Sequence, residues 1–173
     1  MTNMPFNTWV VSKNSNLEFD NTLPYLVLAY YHIAKVESPE LLVKAHKAFF
    51  KGKDYKGRIY LVKDGINGTL SAPKELVCDY MRWLWSQPGF EGAEFKVQEF
   101  EEHAFGRLCV KVRPELVALG FEVPLDQCGP HLSPKEWREM YEQEQDKVVL
   151  DVRNDYEWEL GHFEGAEAAP CKT

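Results

Sequence analysis

The ten residues Tyr25–Ala34 (YLVLAYYHIA) constrain the fold more than any other stretch of this chain. They are so dense in aliphatic and aromatic side chains that they read as a strand in the middle of a sheet. Their neighbours alternate in type. Ser38-Pro39 supplies an N-cap with proline at the first helical position, and Glu40 follows. The helix then runs through Leu41, Leu42, Ala45, Ala48 and Phe49 and stops near Gly52. Arg58–Lys63 is a second strand. Asp64-Gly65-Ile66-Asn67-Gly68 reads as a turn, because Asp-Gly and Asn-Gly tolerate positive φ, and it leads into a strand at Thr69–Ala72. Ser71-Ala72-Pro73 opens a second helix, with Leu76, Val77, Tyr80, Met81, Leu84 and Trp85 along one side. Glu94–Phe100 and Arg107–Arg113 are further strands.

Strand, helix, strand, strand, helix, strand, plus one strand, is an α+β pattern. It predicts a ferredoxin-like (split βαβ) antiparallel sheet over residues 23–120, with helices on one face and the other face open. Residues 1–22 are polar and rich in Asn, an extension expected to be ordered only where it docks. Residues 121–131, with Pro124, Cys128, Gly129 and Pro130, read as a linker. In residues 132–173, Ser133-Pro134-x-Glu136 opens a helix through Tyr141, and Lys147–Val152 has the composition of a buried parallel strand. One strand is too little to bury a core, so Phe121–Thr173 is expected to pack poorly or to lean on a partner.

Hydrophobic residues make up 45% of the chain and charged residues 27%, the balance of a globular protein rather than a disordered one. No apolar run approaches the ~18–20 residues that span a bilayer, and the start lacks a secretory pattern. The expectation is a cytoplasmic protein with no membrane partner. Cys78, Cys109, Cys128 and Cys171 form no C-x-x-C pair, which argues against zinc and for free thiols; no metal site is expected. Charge is divided unevenly. Up to Gly120 there are 15 Lys and Arg against 14 Asp and Glu; from Phe121 onward there are 5 against 13.

Lys44, Lys47, Lys51, Lys53, Lys56, Arg58 and Lys63 form a basic stretch with Asp54 as its only acid, and His46 adds to it at lower pH. Such clusters bind phosphate backbones by releasing counterions; a solvated helix face followed by a solvated loop has the same composition. Period two in the last strand puts Arg107, Cys109, Lys111 and Arg113 on one face, opposite Leu108, Val110 and Val112. Those basic side chains would stand on the open sheet face, where folds of this topology hold single-stranded RNA, or be ordinary solvated charges. Tyr30, Tyr31 and Tyr60 are the strand aromatics available for stacking or for the core. The five histidines build no triad, and Cys109 reads as a half-buried structural thiol.

The segment Val148–Ala166 ends its strand in Asp151-x-Arg153, continues with Tyr156-Glu157, and closes on Gly161-His162-Phe163-Glu164-Gly165-Ala166. It resembles the start of a rhodanese domain. Upstream, Asp64-Gly65-Ile66-Asn67-Gly68-Thr69, His103-Ala104-Phe105, Arg113-Pro114-Glu115-Leu116-Val117-Ala118-Leu119-Gly120 and Leu132-Ser133-Pro134-x-Glu136-Trp137 follow in order. Together these resemble the rhodanese-containing tRNA uridine-34 hydroxylase family from about Tyr25 onward. The resemblance implies 5-hydroxylation of the wobble uridine of tRNA with molecular oxygen as co-substrate. It firmly implies neither metal nor flavin, so the cofactor stays unknown, and it makes the tRNA anticodon arm the partner of the ferredoxin-like domain. It also implies a reactive cysteine at the head of a Cys-Thr-Gly-Gly-x-Arg-Cys-Glu loop. No such loop occurs here, so the catalytic cysteine is expected beyond Thr173, with Asp151, Arg153 and His162 as supports of that site and the chain inactive alone. The alternatives are a non-catalytic RNA-binding or protein-interaction module and a persulfide sulfurtransferase.

Overall fold

A computed structural model describes residues 8–20, 22–114, 129–130, 132–143 and 147–169. The chain divides into two compact units, Met1–Phe121 and Glu122–Thr173.

The amino-terminal unit contains β1 (Thr8–Val11), β2 (Tyr25–Ile33), α1 (Pro39–Phe50), β3 (Lys56–Val62), β4 (Gly65–Pro73), α2 (Lys74–Trp85), β5 (Phe95–Phe100) and β6 (Leu108–Val112). The strands form one sheet in the order β1-β5-β2-β4-β3-β6, antiparallel except for the β3–β6 pair. The four central strands have the expected split βαβ connectivity, in which β4 lies between β2 and β3. The other two strands extend both edges. β1 comes from the polar extension, whose docking strand is β5, with Trp9 opposite Val97.

Alternation along β2 decides which face is covered. Leu26, Leu28 and Tyr30 are buried, and their partners Ala72, Leu70 and Gly68 on β4 share their face. Val77, Tyr80, Met81 and Leu84 recur on α2 at helical spacing, and Val43, His46 and Phe50 do so on α1; these side chains fill the layer above the sheet. Polar groups in that layer are satisfied. The Tyr30 and Tyr80 hydroxyls share a short hydrogen bond, Tyr80 Oη lies 3.2 Å from His46 Nε2, and His46 Nδ1 lies 2.8 Å from the Leu42 carbonyl. Burial lowers the His46 pKa to about 4, so it adds no charge to the basic stretch, against the sequence-based expectation. Tyr30 is likewise core and unavailable for stacking.

The β3–β4 hairpin corrects a second expectation. Its turn is the two residues Lys63 and Asp64, since Val62 pairs with Gly65, and Asn67-Gly68 lies inside β4. The glycines serve close approach instead. Gly65 has φ +147°, and a Cβ there would meet the His32 carbonyl oxygen at 2.2 Å; a Cβ on Gly68 would meet the Tyr30 ring at 2.4 Å. A third correction concerns Ser38, which occupies the N-cap of α1 without a side-chain cap bond, leaving Pro39 as the start signal.

The carboxyl-terminal unit has α3 (Pro134–Gln143), β7 (Leu150–Asp151), α4 (Asp155–Leu160) and β8 (Glu167–Ala168), with β7 and β8 parallel. The expected buried strand Lys147–Val152 is two residues long, and its apolar neighbours Val148 and Val152 are more than 70% exposed. A parallel strand is buried only when layers cover both faces, and none of the described residues of this unit is buried. Residues 115–128, which hold most of the expected linker and the Glu115–Gly120 part of the family motif, lie outside the described residues, as does Cys171.

Candidate nucleic-acid interface

The two helices cover one face of the sheet, so the other face carries the alternate strand residues. Cross-strand register arranges these in rows. One row is Tyr31, Asn67, Tyr60 and Lys111. The next is Val10, Lys96, Ala29, Thr69, Arg58 and Cys109. A third is Thr8, Gln98, Val27, Ser71 and Lys56. Arg113 follows β6, its amide donates to the Leu61 carbonyl at 2.9 Å, and its guanidinium lies 4.9 Å from the centre of the Tyr60 ring. Glu99 is the sole carboxylate in the six strands. It points to the helix side, where it accepts bonds from Thr22 N at 2.8 Å and Leu23 N at 3.2 Å. The open face therefore brings Lys56, Arg58, Lys96, Lys111 and Arg113 together with no strand carboxylate among them. Among the described residues, none of these five is in an ion pair.

The basic residues singled out in the sequence thus separate into two groups. Lys56, Arg58, Lys111 and Arg113 share the open face. Lys44, Lys47, Lys51 and Lys53 are exposed on α1 and the turn after it, in the helix layer, where Lys53 Nζ sits 3.9 Å over the Phe49 ring. Arg107 is exposed in the loop before β6, and its carbonyl accepts from Gly57 N at 3.0 Å. Lys96 was missed. Its signal was the alternation Phe95-Lys96-Val97-Gln98, but placing it opposite Ala29 required the register.

One end of the face is closed by the loop between β5 and β6. His103 packs on Tyr25 with ring centres 4.5 Å apart, and its Nδ1 lies 2.8 Å from Ser71 Oγ, which also accepts from Ala104 N at 3.2 Å. Asp54 Oδ1 is 3.0 Å from His103 Nε2, without the geometry of a hydrogen bond. Ser, His and Asp stand in catalytic order, yet Ser71 is fully buried beneath the loop. The trio latches the loop down and exposes no nucleophile.

In the carboxyl-terminal unit, Asp151, Arg153 and His162 line one cleft of about 650 Å³ with Trp137, Leu150 and Phe163. Arg153 donates from Nε and Nη2 to the Asp151 carboxylate, at 3.0 and 2.6 Å, and from Nη2 to the Gly161 carbonyl at 2.7 Å. These bonds hold the Asp151 carboxyl below the usual range and raise Arg153. His162 stacks on Trp158 at 3.6 Å and pairs with the Trp158 carbonyl at 3.0 Å. All three side chains are engaged in shaping the loop after α4. No group of three or more His, Cys, Asp or Glu among the described residues is arranged to hold a metal, and no helix among them is long and apolar enough to cross a membrane.

A sheet with two crossover helices and an open basic face defines a small α+β domain of acylphosphatase-like type. The family description "UPF0176 acylphosphatase like domain" matches residues 25–116. The chain belongs to the tRNA uridine-34 hydroxylase family. It is 48% identical over 149 residues to a protein of Protochlamydia amoebophila named tRNA uridine(34) hydroxylase, covering 86% of this chain and 47% of that protein. A Shouchella clausii protein of the same name is 49% identical over 146 residues, covering 82% and 45%. The chain spans about half the length of the curated relatives it matches. Among solved structures, the dark state of the BLUF protein BlrB gives a TM-score of 0.40 at 12% identity, over 51% of this chain and 75% of its own.

Proposed function

We propose that this chain supplies the tRNA-holding part of a tRNA uridine-34 hydroxylase, acting in the cytoplasm on the anticodon arm. The reaction replaces the hydrogen on carbon 5 of the wobble uridine by a hydroxyl group, with molecular oxygen as co-substrate. The observation that carries the reading is the open sheet face, where five cations from three strands and an adjoining residue stand together and the strands' one carboxylate points the other way. Such a surface attracts a polyanion.

Asp151, Arg153 and His162 would support a reaction centre by fixing the loop after α4, without reacting themselves. No Cys-Thr-Gly-Gly loop occurs among these 173 residues, so they are expected to give neither hydroxylase nor sulfurtransferase turnover alone. Turnover by the purified chain that is lost in Cys109→Ala would reject that part.

Binding of an unmodified anticodon stem-loop, measured by fluorescence anisotropy over a salt series, tests the rest. The expected result is a log–log salt dependence whose slope becomes shallower by about one for each cation removed, in Arg58→Ala and Lys111→Ala. A flat salt response, or unchanged binding in both variants, would sink the reading. Loss of 5-hydroxyuridine from tRNA on deleting the gene is the expected result in cells; loss of a thiolated base instead would favour sulfur transfer.

A further inference from the structure

We propose that the open face takes unpaired nucleotides and not duplex, with the Tyr31 row receiving bases and the Lys96–Arg58 row receiving backbone. This rests on the reading above that the face binds RNA, and it names the form of RNA.

Tyr31 carries the argument. Its side chain is 65% exposed although it sits in the middle of the sheet. An uncovered aromatic ring does nothing for a phosphate, whereas every base offers a face to stack on it. Asn67, also exposed, stands beside it, and its amide is suited to a base edge. Next comes Tyr60, with the Arg113 guanidinium already lying against its ring; arginine planes stack bases as aromatic rings do. Neighbouring strands are about 4.8 Å apart, which puts Tyr31 and Tyr60 about 10 Å from each other with the amide between them.

Two residues along each strand, about 7 Å away, the row changes character. Its floor is Ala29 and Thr69, both small, and Lys96 and Arg58 flank it from β5 and β3. Long cationic side chains over a low floor suit a backbone passing between them. At the third row the His103 loop closes the face, latched there to Ser71 and stacked on Tyr25. An RNA strand therefore crosses the β-strands along the rows, with room for about two or three bases. An A-form duplex keeps its bases stacked inside and offers a flat sheet only phosphates and 2′-hydroxyls, leaving Tyr31 without a partner. The absence of strand carboxylates favours RNA over a peptide, which gains from acceptors as well as cations.

The test uses the 173-residue chain and a labelled seven-nucleotide single-stranded RNA, with a blunt RNA duplex and polyglutamate as competitors. Single strand is expected to compete at least ten-fold better than duplex at equal phosphate. Tyr31→Leu should weaken single-strand binding about ten-fold with an unchanged salt slope, and Tyr31→Phe should keep it. Tyr31 is exposed, so both variants retain the fold, which circular dichroism checks. Tyr31→Leu binding like the parent while Arg58→Ala weakens, or duplex competing as well as single strand, would overturn the unpaired-base proposal and leave the tRNA reading standing. No RNA binding of either kind would overturn both. Polyglutamate competing as well as RNA would overturn the assignment to nucleic acid.

Discussion

The two units contain similar side chains and use them in opposite ways. In the amino-terminal unit Leu26, Leu28, Ile59, Leu61, Ile66 and Leu70 are fully buried beneath two helices. In the carboxyl-terminal unit Leu150, Leu160 and Phe163 are more than half exposed. Both units carry such apolar side chains; layering decides which of them are buried. A sheet that meets helices at i, i+3, i+4 spacing removes its apolar face from water, while a two-residue ladder with short helices has no second layer to meet. The carboxyl-terminal unit is instead clipped by local polar devices. Ser133 and Glu136 bond reciprocally at the start of α3, Asn154 and Glu157 do so at α4, and Asp151 grips Arg153. Each links residues close in sequence, so none requires a core.

The sharpest way to break this contrast is to delete equivalent volume from both units. Leu84→Ala removes a fully buried side chain of α2 and is expected to cost about 3 kcal/mol in urea denaturation. Leu160→Ala, in a residue 87% exposed, should stay within about 0.5 kcal/mol. Equal effects would show that the carboxyl-terminal unit is packed after all.

A second expectation concerns pH. His46 titrates near 6.5 when unfolded and at about 4 in the fold, so the unfolded chain takes up its proton first as pH falls. The stabilisation is complete above about 6.5 and disappears as pH drops through about 4, a loss of about 3 kcal/mol. Denaturation midpoints at pH 7.5 and 4.5 should show it, and His46→Gln should flatten the dependence. A parent protein as stable at 4.5 as at 7.5 would contradict a buried neutral imidazole.

Smaller again is Gly68→Ala, which drives a Cβ into the Tyr30 ring and should cost about 2 kcal/mol, relieved in the double variant with Tyr30→Leu. Smallest is Asp151→Asn. It should leave the main unfolding transition unchanged and speed amide exchange only around Gly161 and His162, as expected where the ion pair holds a loop and no core.

Much of this was legible in the residues themselves. Tyr25–Ala34 identified the central strand, Ser38-Pro39 marked the start of α1, and Val77, Tyr80, Met81 and Leu84 marked the inner face of α2. The hairpin turn was misplaced because Asp-Gly and Asn-Gly are equally good local turn formers, whereas the observed turn answers to pairing along the whole length of β2. Tyr30 and Tyr31 are adjacent and alike, and only the position of the helices makes one core and the other surface. Of the basic residues, Arg58 and Lys111 share a face that the α1 lysines do not. That separation follows from which strand lies beside which, and no period along the chain encodes it.

The sequence by itself determined the alternation of strand and helix, the apolar stripe of each element and the family, because these are properties of short windows read against a fixed geometry. The tertiary structure alone decided the sheet order, the burial that neutralises His46, the latch of Ser71, His103 and Asp54, and the gathering of Lys56, Arg58, Lys96, Lys111 and Arg113 on one face. Each of these depends on contacts between residues far apart in the chain, and such contacts form only when the whole sheet closes against its helices.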